Sequence, residues 1–102
     1  MDYFSLYDSD GLHCGFLIMI ADDESAERPA SGQFVFKLQD GAVQAAAVVL
    51  QDLQEPRTDQ VWHAEKERVN LFAGGKLIAG IRQEYLNIGG QTFVLNDMTG
   101  ML

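Results

Sequence analysis

The sequence predicts a mostly β (α+β) protein, an antiparallel hairpin-rich sheet or small barrel with one helix at 42–54. Three observations carry that expectation. Turn dipeptides recur between short apolar stretches. Those stretches are rich in aromatic and β-branched residues, which suit a pleated, half-buried surface. The run 42–54 breaks the pattern, being alanine-rich and free of turn residues. At 102 residues the chain is expected to form a single compact domain over 1–102, with a radius of gyration of about 13 Å.

The first hairpin is expected around Asp10-Gly11, between Tyr3-Phe4-Ser5-Leu6-Tyr7 and Leu12-His13-Cys14-Gly15-Phe16-Leu17. Asp-Gly supplies the positive φ angles of a tight turn. Asp40-Gly41 follows the apolar stretch 34–38. Gly74-Gly75 separates Val69-Asn70-Leu71-Phe72 from Leu77-Ile78-Ala79-Gly80-Ile81, and Gly89-Gly90 separates Tyr85-Leu86-Asn87-Ile88 from Thr92-Phe93-Val94-Leu95. The recurrence suggests a degenerate unit of aromatic-rich strand, Gly-containing turn and more aliphatic strand. Such an up-and-down meander hides its edges by closing into a barrel or packing two sheets. Two polar stretches, the acidic loop 22–33 and the loop 54–60, interrupt it.

Residues 42–54 divide between two readings. Val43, Ala46, Ala47, Leu50 and Leu53 share one helical face, with Gln44, Gln51 and Glu55 opposite. Asp40 is a candidate N-cap, and Pro56 stops continuation. The competing reading has Asp40-Gly41 turning a strand back on 34–38. The helix is favoured because alanine is the best helix former. Over Val61–Phe72 neither strand face is cleanly apolar, and a single extended, partly solvated strand feeding the Gly74-Gly75 turn is expected. Inside a barrel, Phe16, Phe34, Phe36, Trp62 and Tyr85 would collect as an aromatic interior.

Charge is the strongest functional signal. Asp2, Asp8, Asp10, Asp22, Asp23, Glu24 and Glu27 all precede the first basic residue, Arg28, so nearly the whole formal charge of −8 belongs to the first quarter. If 12–21 is a strand, it spans roughly 33 Å, which sets Asp8 and Asp10 at one tip of a hairpin and 22–27 at the other. An acidic chain disfavours direct nucleic-acid binding and binding to anionic membranes. The longest apolar run, Leu12–Ala21, is too short for a bilayer-spanning helix, and it lacks the basic start of a signal peptide. The lone Cys14 permits no intrachain disulfide. A soluble cytoplasmic protein is expected.

Catalytic and metal-binding patterns are weak. On a strand, His63, Glu65 and Glu67 share one face at about 7 Å intervals. Same-face residues of one strand seldom converge on an ion, so a solvated face is preferred and no metal or cofactor is assigned. His13 and Cys14 are adjacent and point to opposite strand faces, which rules out a nucleophilic pair; Cys14 reads as a small buried apolar residue. Asp8-Ser9-Asp10-Gly11 opens like a calcium loop, yet the later oxygen ligands do not follow. The Gly-Gly pairs lack the spacing of a phosphate loop.

The expected function is therefore non-enzymatic: a small acidic protein-binding module (inhibitor, immunity-like or assembly factor) acting on a basic protein partner. Asp22, Asp23, Glu24 and Glu27 are its candidate contacts, with steering by charge. The alternative is a small-ligand-binding β-barrel, and an enzyme with dispersed residues stands third. Open sheet edges would give a route to homo-oligomers.

Overall fold

The computed structural model describes residues 1–39 and 50–101. Eight antiparallel strands follow one another around a closed barrel: β1 (Asp2–Tyr7), β2 (His13–Ala21), β3 (Ser31–Leu38), β4 (Gln60–Ala64), β5 (Val69–Ala73), β6 (Lys76–Arg82), β7 (Tyr85–Ile88) and β8 (Gln91–Asp97). Each strand pairs with its neighbours in sequence, and β8 closes on β1 through the Phe4–Asp97 to Tyr7–Val94 register. Closure occupies both sides of every described strand over at least part of its length, which is how a barrel disposes of edges.

Three of the expected turns are where the dipeptides put them. The first is a longer connection over residues 8–12, with positive φ at Gly11 and not at Asp10, rather than a tight two-residue turn. Asp8 closes the β1–β2 turn, its carboxylate accepting from the Asp10 and Leu12 amides at 2.9 Å each. That use of the carboxylate accounts for Asp8. Gly74-Gly75 and Gly89-Gly90 hold φ of 59° and 79°, and of 57° and 77°, the paired positive φ that a two-residue hairpin requires. The turn expected at Asp40-Gly41 lies outside the described residues.

Interior positions come from strand alternation, and one irregularity decides the alternation in β2. Leu6 pairs with Gly15 while Tyr7 pairs with His13, so Cys14 is an extra residue in a β-bulge. The bulge places Cys14, Leu17 and Met19 inside and turns His13, Phe16 and Ile18 outward. Gly15 sits at φ 150°. A Cβ there would meet the Lys37 carbonyl oxygen and lie 2.8 Å from the Leu38 Cα, so only glycine lets β3 approach. The core then gathers Leu6, Leu17, Phe34, Phe36, Leu50, Trp62, Leu71, Leu86 and Phe93, all buried. Phe34 and Phe36 pack edge to face at 5.8 Å.

Three expectations are corrected. Phe16 and Tyr85 are outside the barrel: the bulge inverts the phase at Phe16, and Tyr85 pairs with Val94, whose side chain is exposed. Phe34, Phe36 and Trp62 are inside as expected. The stretch 61–72 is not one strand but the β4–β5 hairpin, turning at Glu65–Arg68 where the Glu65 amide donates to the Arg68 carbonyl at 2.7 Å. That turn contains no Gly or Pro to announce it. The acidic loop ends before Ser31, where β3 begins. Most of the helix expected at 42–54 lies outside the described residues; within its tail, Gln51–Leu53 form a single 3₁₀ turn.

The barrel's two ends differ. At the end where β3 finishes, Leu50 and Leu53 enter the core. Buried Gln60 ties them in, its amide donating to the Phe34 carbonyl at 3.1 Å and the Leu53 carbonyl at 3.4 Å. Gln54 Oε1 accepts from the Leu38 amide at 3.2 Å. Those bonds cover the stretch of β3 beyond Gln33, the last residue it pairs with β4.

Gly15→Ala is expected to lower unfolding free energy by about 3 kcal/mol, from overpacking and backbone strain together. Gly100→Ala, with open space around its Cβ position, should change it little; urea midpoints measure both. Cys14 is fully buried, and burial first, then the charge of Asp8, pushes its thiol pKa up. Its reaction with a disulfide reagent near neutral pH should be at least about tenfold slower in the folded protein than in urea. Equal rates would mean that the thiol is accessible.

Candidate functional site

The other end of the barrel is open. Inward-facing positions near this rim are small on three consecutive strands: Ala21 on β2, Gly32 on β3 and Ala64 on β4. Gly32 must be small, because a Cβ there would meet the Ile20 carbonyl oxygen and lie 2.7 Å from Trp62 Nε1. The indole lies across this gap and donates to the Ile20 carbonyl at 3.3 Å. What remains is a cleft of about 600 Å³ walled by Phe4, Met19, Trp62, Ala64, Val69, Ile81 and Leu95, with Pro29, Gln83 and Asn96 at its margin. A volume of that order falls in the range of small-ligand sites, about 300–1,000 Å³.

Three carboxylates, Asp2, Glu84 and Asp97, also line the cleft. Asp2 continues the inward-facing series of Phe4 and Leu6 on β1. Asp97 continues that of Phe93 and Leu95 on β8, opposite Phe4. Asp97 accepts from the Thr99 hydroxyl at 2.6 Å and the Thr99 amide at 2.9 Å, bonds that lower its pKa from the ordinary carboxylate value. It is fully ionised at neutral pH.

The four carboxylates singled out from sequence sit at this same end, in the β2–β3 loop. Like-charge density favours an extended loop there, but hydrogen bonds fold it back. Asp22 accepts from the Ser31 hydroxyl at 2.8 Å. Asp23 takes the Ser25 hydroxyl at 2.6 Å and the Ser25 amide at 3.0 Å, which lowers its pKa. Glu24 receives the Ala21 amide at 3.2 Å and the Met1 ammonium at 3.0 Å. Glu27 is exposed. With Glu65 and Glu67 in the β4–β5 turn, nine of the fifteen carboxylates belong to the open end, against Arg28, Lys66, Arg68 and Arg82. Asp8 and Asp10 lie at the far end, as the strand length required. Sequence reasoning found the loop but missed Asp2, Glu84 and Asp97 as part of the same site; the closure of β8 on β1 brings Asp2 to Asp97, and the β7–β8 pairing adds Glu84.

His63, Glu65 and Glu67 do not converge. His63 is on the outer surface of β4, its ring edge-on to Phe72 at 5.3 Å, while the two glutamates are exposed in the turn. Among the described residues no group of three or more His, Cys, Asp or Glu side chains could hold a metal ion. No helix among them is long and apolar enough to cross a membrane.

A second surface runs along the outside of β1 and β2. Tyr3 stacks on Phe16 at 5.1 Å, Phe16 meets His13 edge-on at 4.9 Å, and His13 lies 5.2 Å from Tyr7. His13 Nε2 is buried there without a hydrogen-bond partner among the described residues.

No curated protein and no solved structure matches the chain. One family model, described as "HLGFF-containing, Neisseriales", matches residues 1–102. Read as residue letters, its pentapeptide agrees at His, Gly and Phe with His13-Cys14-Gly15-Phe16-Leu17, the segment that forms the bulge and its aromatic cluster. With the match spanning the whole chain, this protein belongs to the HLGFF-containing family of the Neisseriales.

Proposed function

We propose that the protein is a non-enzymatic binding module whose open, acidic barrel end holds a basic protein partner, in the manner of an inhibitor, immunity-like or assembly factor. The observation that carries this reading is the gathering of nine carboxylates at one barrel end, where three of them line an apolar cleft, against four basic side chains and the Met1 ammonium. Fields from clustered charges reinforce one another near a low-dielectric opening and raise the rate at which an oppositely charged protein arrives. The apolar walls then supply contact area that charge alone does not. A cytoplasmic setting, in which the single buried thiol stays reduced, is consistent with this role.

The β2–β3 loop carries four of these carboxylates and is the candidate contact. Replacing Asp22, Asp23, Glu24 and Glu27 by their amides keeps an acceptor oxygen in every side chain, so the loop's hydrogen bonds have replacements. Binding to a basic partner recovered from the source cells should weaken by about tenfold or more in this variant, given a cost of a few tenths to 1 kcal/mol per exposed charge pair. The Asp8→Asn, Asp10→Asn variant should bind nearly as the native protein does. The native association rate should fall steeply as salt rises. Equal losses in the two variants, or a rate insensitive to salt, would return the acidity to general solubility.

A further inference from the structure

We propose that the cleft at the open end is a binding site for an apolar group that carries a cation, such as an aryl-alkyl amine or the neighbouring aromatic and lysine side chains of a peptide. This rests on the reading of the acidic end as the binding surface, and it names the chemistry that end selects.

The walls set the first requirement. Phe4, Met19, Trp62, Val69, Ile81 and Leu95 present hydrocarbon and aromatic surface, which gains nothing from a strongly hydrated ligand and favours an apolar body. A β-barrel of this size normally fills its interior with its own side chains. Here the far end is filled, with Leu50 and Leu53 in the core, whereas the near end keeps a cleft of about 600 Å³ whose walls include the small Ala64. The Trp62 indole forms one wall and is held in place by its bond to the Ile20 carbonyl. Tryptophan is also the best aromatic partner for a cation.

The rim sets the second requirement. Asp2 and Asp97 occupy inward-facing register positions directly above Phe4 and Leu95, and Glu84 lines the same opening. An anionic head would face three carboxylates at once, and a neutral head would gain little from them. A cationic head is attracted to all three while its apolar body occupies the cleft.

The test uses three probes with the same ring and different heads: 2-phenylethylamine, 2-phenylethanol and 3-phenylpropionate. Trp62 is the only tryptophan, so its fluorescence reports occupancy of the cleft, and calorimetry gives the affinity. The amine should bind about tenfold or more tighter than the alcohol, as expected for one charge near several carboxylates at partly screened range, and the acid should not bind measurably. Combining Asp2→Asn, Glu84→Gln and Asp97→Asn should reduce the amine to the affinity of the alcohol. Val69→Phe, which fills the cleft, should abolish binding of all three, with circular dichroism checking that each variant is folded. A blocked Phe-Lys dipeptide amide run alongside separates the sources: tighter binding than the free amine marks a protein side-chain pair, weaker binding a small amphipathic amine. Equal binding by the three probes, or binding by none of the four ligands, overturns the proposal. If the amine binds while association with a basic protein ignores salt, the cleft assignment stands and the protein-partner reading falls. If a basic protein binds with strong salt dependence while every small ligand fails, the reverse holds.

Discussion

The bulge at Cys14–Gly15 is the constraint on which the rest of the barrel depends. It adds one residue to β2 opposite Leu6, and every side chain after it changes face. Without it, Leu17 and Met19 would point to solvent, and Phe16 and Ile18 would crowd an interior that already holds Phe34 and Phe36. The bulge also bends β2 over β3 so closely that position 15 has room for hydrogen alone. A strand bent there supplies curvature that a closed sheet of short strands needs. The geometry tolerates little else at Gly15, and His13 and Phe16 become outward neighbours only when Cys14 is the extra residue.

From that beginning the two barrel ends acquire different fates. Large side chains on β1, β2 and β3 meet Leu50, Leu53 and the buried amide of Gln60 at one end, where every polar atom of Gln60 that enters the core must find a partner. At the other end the inward positions shrink to Ala21, Gly32 and Ala64. The Trp62 ring lies over Gly32 with its nitrogen donating to the Ile20 carbonyl, and it walls the remaining opening together with Phe4, Met19, Ala64, Val69, Ile81 and Leu95.

How much of this was legible in the sequence depended on whether the deciding signal was local. Asp10-Gly11, Gly74-Gly75 and Gly89-Gly90 were readable because positive φ is written into the residue type. The Gln83-Glu84 turn was not, since Gln83 takes φ 55° without being glycine, and the Glu65–Arg68 turn has no breaker at all. Phe16 was placed inside because simple alternation cannot register an inserted residue. At the site, the 22–27 loop stood out as a charge run, but Asp2, Glu84 and Asp97 are scattered along the chain and share a rim only through the β1–β8 and β7–β8 pairings. Trp62 was expected inside, yet nothing local could say that it would leave a gap.

The hydrogen bonds of the acidic loop bear on what kind of binding surface it makes. An unconstrained run of carboxylates would keep its charges apart and would lose side-chain freedom whenever a partner ordered them, at a cost of about 0.5–1.5 kcal/mol per side chain. Here Asp22, Asp23 and Glu24 are already engaged by Ser31, Ser25 and the Ala21 amide. Folding has therefore met part of the ordering cost before any partner arrives. Each of those carboxylates retains lone pairs beyond the ones in use, so a cation can be received without breaking the loop's own bonds. The bond from Ser25 holds Asp23 ionised further into the acid range, keeping its charge in place over the whole physiological span. Charge fixed in position by the loop's own hydrogen bonds gives an acidic surface with a defined shape, and a defined shape is what allows a surface to select one basic partner over another rather than attract them all.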